Sequence, residues 1–96
     1  MALKLKNAFW IIKNVAEENE FTVDKISDEK YQLHLSKFHG VDFEVSANSS
    51  GYIQCKQWDE NREEYNRAVY SLRSVTDVIS FCSVLVNSAL IRAKRN

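Results

Sequence analysis

Proline is absent from this chain, and glycine occurs only at positions 40 and 51. Their scarcity argues against a linker or a disordered tail, so the chain is expected to fold throughout. Two isolated glycines cannot build a phosphate-cradling loop, which excludes the P-loop and the dinucleotide-binding turn. Charge of one sign is missing too: thirteen basic and thirteen acidic residues cancel. No global field therefore draws the protein to nucleic acid or to an anionic membrane, and such binding has to come from a local patch. The two cysteines, Cys55 and Cys82, are too few for a disulfide scaffold, and each falls on an expected core face, where a thiol acts as a small hydrophobe. His34 and His39 bracket a turn with no third ligand nearby in sequence, so neither a metal site nor a cofactor is expected.

Long hydrophobic runs are lacking as well. Ala8 to Ile12 is shorter than a signal-peptide core and is followed by Lys13. Val78 to Ile91 carries no charge, but as a helix it spans only about 21 Å against about 30 Å of hydrocarbon, and Ser80, Ser83, Asn87 and Ser88 interrupt it. These absences imply a cytoplasmic protein in a reducing compartment, where the sequon at Asn48 has no meaning.

What is present is a chain of 96 residues with 45% hydrophobic and 27% charged content. That is room for one domain, residues 1–96, with one core. Leu3 to Glu20 reads as an amphipathic helix with Leu5, Ala8, Phe9, Ile12, Val15 and Ala16 on a face of about 120°. Trp10 falls outside that face, among Lys6, Lys13, Asn14 and Glu17. Either its ring lies over a lysine stem or under a neighbouring loop, or it anchors a partner with Lys6 and Lys13 as rim charges.

From Phe21 to Trp58 the period changes from helical to alternating. Strands are expected at Phe21–Ser27, Lys30–Lys37, Val41–Ala47 and Tyr52–Trp58, separated by Asp28 with Glu29, His39 with Gly40, and Asn48 to Gly51. Tyr31, Leu33, Leu35, Val41, Phe43, Val45, Ile53 and Cys55 share one face. A hairpin about His39 and Gly40 sets His34 opposite Glu44 on the polar face, with Lys56 beside Glu44, a ladder of opposite charges rather than acid-base chemistry. Trp58, Tyr52 and Asp42 make that face a second interface candidate, together with the acidic stretch containing Asp59, Glu60 and Glu63.

Asn61, with Glu64 three residues on, fits a helix start, so a short helix carrying Tyr65, Ala68, Val69 and Leu72 is expected. Ser74 with Asp77 is a second cap, which places a break between Ser71 and Val75. The last helix carries the longest periodic pattern: Leu72, Val75, Ile79, Cys82, Val86, Ala89 and Ala93 form a seam that Val78, Phe81 and Leu85 widen to about half the circumference. So wide an arc needs cover on two sides. The sheet covers one flank, and the other needs the N-terminal helix or the same helix of a second subunit; in the second case Val78, Phe81, Leu85, Val86 and Ala89 are candidates for a homodimer seam.

The expected fold is two-layer α+β: an N-terminal helix, a four-stranded antiparallel meander, and C-terminal helices on one sheet face, in the order α-β-β-β-β-α-α. The order helix, antiparallel strands, helix resembles in outline the double-stranded RNA-binding domain and the Alu-binding proteins of the signal recognition particle. The resemblance implies RNA binding, yet the RNA-binding domain's basic cluster at the start of its last helix has no counterpart, since Asp59 to Glu64 is acidic and repels phosphate. Nucleic-acid contacts, as the alternative, would come from Lys30, Lys37 and Lys56 and from the tail residues Arg92, Lys94 and Arg95. The leading expectation is a non-enzymatic, homodimeric interaction protein that presents a surface to another protein. An inhibitor of a host nucleic-acid enzyme, encoded by a phage or another mobile element, would fit so small and motif-free a chain.

Overall fold

A computed structural model describes residues 4–35, 42–59 and 61–95, with positions 67–69 and 91–95 described along the backbone only. The elements run α1 (Leu5–Glu18), β1 (Phe21–Ser27), β2 (Lys30–Leu35), β3 (Asp42–Ala47), β4 (Ile53–Asp59), β5 (Glu64–Leu72) and α2 (Val75–Arg95). The strands form one antiparallel sheet in the order β1-β2-β3-β4-β5. Helix α1 contacts β1, α2 contacts β5, and the helices touch each other, so both lie on the same sheet face. The architecture is the two-layer α+β arrangement that the patterning implies.

Alternation builds the core. Phe21 on β1, Leu33 and Leu35 on β2, Phe43 and Val45 on β3, and Ile53 and Cys55 on β4 all point under the helices and are buried. Ala8, Phe9, Ile12 and Ala16 meet them from α1, and Val78, Phe81, Cys82 and Leu85 from α2. Phe81 is the keystone of the α2 side: its ring meets Phe43 edge-on at 5.5 Å and Tyr70 of β5 at 5.6 Å. The turn at Asn48 is closed by its own side chain, whose Oδ1 accepts the Ser50 N–H at 2.7 Å, while Gly51 takes a φ of +91° that a side chain would strain.

Two expectations need correction. The first concerns strand number, which is five rather than four, because Glu64–Leu72 is a strand and not a short helix. Asp59, not Asn61, controls the local geometry: its Oδ1 accepts the N–H of Asn61 at 2.9 Å and of Arg62 at 3.3 Å, and Glu63 follows in the left-handed region at φ +54°. That turn sends the chain back along β4. The strand is hard to read because its pairing with β4 shifts register twice, between Cys55 and Lys56 and between Lys56 and Trp58, which breaks the alternation. The C-terminal part is thus one helix. The expected break between Ser71 and Val75 is the strand-to-helix boundary, where Ser74 Oγ accepts the Asp77 N–H at 3.2 Å and Asp77 Oδ2 accepts the Arg73 N–H at 2.9 Å.

The second correction concerns the middle hairpin. His34 pairs with Asp42 and Gln32 with Glu44, so the register is two residues off the expected one, while Glu44 does sit beside Lys56. The expected turn at His39 and Gly40 lies outside the described residues. Among the described residues, no helix is long and apolar enough to cross a membrane.

Candidate functional site

The Trp10 face of α1 meets the β1–β2 hairpin across a groove of about 860 Å³. Leu5, Phe9, Val23 and Tyr31 give it apolar walls, and the Phe9 and Tyr31 rings are 5.3 Å apart. Trp10 flanks this groove with 67% of its surface exposed, so its ring is not hidden under a loop. Lys6 and Lys13 line the same groove, and the three candidate residues of the first patch are brought together. The hairpin tip adds Lys25, Asp28 and Glu29, residues that periodicity on α1 alone could not associate with Trp10.

Electrostatics at this groove are mixed and open to solvent. Lys25 Nζ lies 2.8 Å from Asp28 Oδ1, and that hydrogen bond, with the Coulomb attraction behind it, raises the lysine and lowers the carboxyl from their ordinary values. Lys13 pairs with Glu17 at 3.6 Å. The Asn14 side chain donates to the Trp10 carbonyl at 2.8 Å. Helix α1 has no acid in its first turn and no base in its last, and no side chain caps its N-terminus. Lys4 and Lys6 thus crowd the positive end of the helix dipole, and Glu17 and Glu18 the negative end, against the favourable arrangement.

The second candidate patch is divided. Trp58 and Asp42 lie at one end of the open sheet face, while Tyr52 lies before the opposite end of β4, about 20 Å away at strand rise. The Tyr52 ring is covered by Arg73, whose Cζ sits 3.8 Å from the ring centroid. Asp59 is engaged in its turn, Glu63 is exposed in the same turn, and Glu60 lies outside the described residues. Tyr65, missed while its segment read as helix, joins the Trp58 end, packing edge-on against Trp58 at 5.1 Å. Burial first, then the carboxylates of Asp42, Glu44 and Asp24, push its phenol up to about 12.

Beside it His34 bridges three strands, with Nε2 3.2 Å from Asp24 and Nδ1 3.4 Å from Asp42. The imidazole thus lies between the carboxylates of the two neighbouring strands. Burial pushes both thiols up, Cys55 further through Cys82, which disfavours the nucleophilic thiolate. Among the described residues, no group of three His, Cys, Asp or Glu side chains is placed to hold a metal ion.

The remaining candidates are redistributed. Val78, Phe81 and Leu85 are buried in the chain's own core, so these three are corrected as dimer-seam residues; Ala89 packs partly against that core and Val86 is half-buried. Lys30 and Lys56 flank one carboxylate, Glu44, from β2 and β4, with Lys30 Nζ 3.9 Å from it, and do not form a free cationic row. Lys37 lies outside the described residues, as do the side chains of Arg92, Lys94 and Arg95. No family model, no curated protein and no solved structure matches this chain.

Proposed function

We propose that the chain is a non-enzymatic interaction module that presents the groove between α1 and the β1–β2 hairpin to another protein. The observation that carries this is Trp10: a large ring, two-thirds exposed, beside a groove with apolar walls that the described residues do not fill. Tryptophan in that setting is the residue type most enriched among interface hot spots. Lys6 and Lys13 supply a rim, and Lys6, with Lys4, works against the dipole of α1. Local rules tend to be broken where a surface is kept for function. The partner segment suited to this groove carries an apolar side chain for the Phe9 and Tyr31 walls and a carboxylate for Lys6 or Lys13. Cys55 and Cys82, buried and unlinked, suit the reducing cytoplasm expected for such a module.

A photo-crosslinking side chain at position 10, with one at exposed Ile26 as control, tests the proposal in the producing cell. The expected outcome is a discrete protein adduct from position 10 alone, lost on Lys6→Glu with Lys13→Glu while thermal stability is kept. Adducts equal at both positions, or adducts to nucleic acid in place of protein, would sink it.

A further inference from the structure

Helix α2 buries only one flank of its wide apolar arc. The other flank stays open along Val75, Ile79, Ser83, Val86 and Leu90, where Val75 is 54%, Ile79 60% and Leu90 54% exposed and Val86 is half-buried. At about 100° per residue these five fall within an arc of about 80°. No charged residue occurs from Val78 to Leu90, and Asp77 points to a different side. Ser83, in the middle of the stripe, donates its hydroxyl to the Ile79 carbonyl at 3.2 Å, so it can be covered without stranding a polar group. Its small size lets a second backbone approach there.

The spacing names the occupant. Turn the helix end for end about the midpoint between Cys82 and Ser83, and Val75 falls on Leu90 and Ile79 on Val86, with Ser83 next to the axis. A surface that maps onto itself under a two-fold rotation is what an isologous dimer requires. We infer that α2 pairs antiparallel with α2 of a second copy of this chain, through Val75, Ile79, Val86 and Leu90, across an axis beside Ser83.

Antiparallel alignment also sets each helix dipole against its opposite. A contact limited to one helix pair falls at the low end of specific interfaces, below about 1,200 Å² in total, so the dimer is reversible and depends on concentration. The inference is independent of the Trp10 groove, which is lined from α1 and the β1–β2 hairpin.

Sedimentation velocity over a range of concentration is the test, with circular dichroism confirming that each variant is folded. The wild-type mass should rise from one chain to two. Ile79→Lys and Val86→Glu, each at a position not fully buried, should each raise the dissociation constant at least about tenfold. Mixed one to one they should recover a heterodimer, because position 79 of one copy faces position 86 of the other. Should either variant fail to fold, Ser83→Cys takes its place: oxidation should link two copies through position 83 much faster than through Ser80→Cys, which lies off the stripe. A monomer at every concentration, a dimer indifferent to Ile79→Lys, or equal linking at 80 and 83 overturns the inference.

Discussion

Helices α1 and α2 lie side by side on one sheet, and each buries one apolar flank, yet they treat their ends and their surplus hydrophobics in opposite ways. Helix α2 begins with a reciprocal cap between Ser74 and Asp77, carries an acid in its first turn, and has Arg92, Lys94 and Arg95 in sequence at its end. Helix α1 begins uncapped at Lys4, holds lysines where acids belong, and ends among glutamates with Glu20 at φ +68°. The surplus on α2 is a continuous uncharged stripe; on α1 it centres on one tryptophan between lysines. Local signals specify α2, whereas α1 is held chiefly by packing, which leaves its outer face free to serve a different end.

The largest effect expected from this contrast is at the core, which both helices share. Phe81→Ala removes a side chain that is fully buried and meets two aromatic rings, and a cost of about 3–5 kcal/mol is expected. Against a domain stability of about 5–15 kcal/mol, urea unfolding should show a midpoint lowered by a large fraction of its value. A loss under about 1 kcal/mol would mean that α2 is seated by something other than this ring cluster.

Next in size is the cap of α2. Ser74→Ala leaves the Asp77 N–H without its side-chain acceptor and should cost about 1 kcal/mol by thermal or urea unfolding. The comparable change at α1, Lys4→Ala, touches no cap hydrogen bond and should cost nothing measurable. Equal losses at the two positions would erase the distinction between a helix started by its sequence and one placed by its neighbours.

The same distinction decides what could be read before the structure was seen. Strand β1 has the bounds expected from its pattern, β4 is shifted by one residue at each end, and β2 begins and β3 ends where expected, while the expected bounds at Lys37 and Val41 lie outside the described residues; alternation and turn residues coincide along these strands. The Ser74 and Asp77 boundary was legible for a similar reason: two side chains three apart meet two backbone N–H groups. Strand β5 was not, since Asn61 and Glu64 mimic a helix start while Asp59 closes a turn, and two bulges scramble the alternation that would have shown it. The seam on α2 was visible as an arc, but its division into a buried flank at Phe81 and an open one at Ile79 depends on where the sheet lies. The Trp10 patch was visible from α1 alone, and its groove was not, because Val23, Lys25 and Tyr31 reach it only through the fold.

The smallest effect, and the one of opposite sign, is at the end of α1. Glu20 follows the helix in the left-handed region, and its N–H donates to the Glu17 carbonyl at 3.2 Å. A side chain there costs about 1–2 kcal/mol relative to the right-handed region, and a carboxylate beside the negative helix end adds a little repulsion. Glu20→Gly relieves both but loosens the unfolded chain by about 0.5–1 kcal/mol, so a net gain of about 0.5–1 kcal/mol remains. In a domain of this size that is a rise in melting temperature of a few degrees. Glu20→Ala separates the two contributions: it keeps the backbone penalty and removes only the charge, so its gain should be the smaller. Equal gains from Gly and Ala would place the weakness of α1 in its charges rather than in its backbone ending.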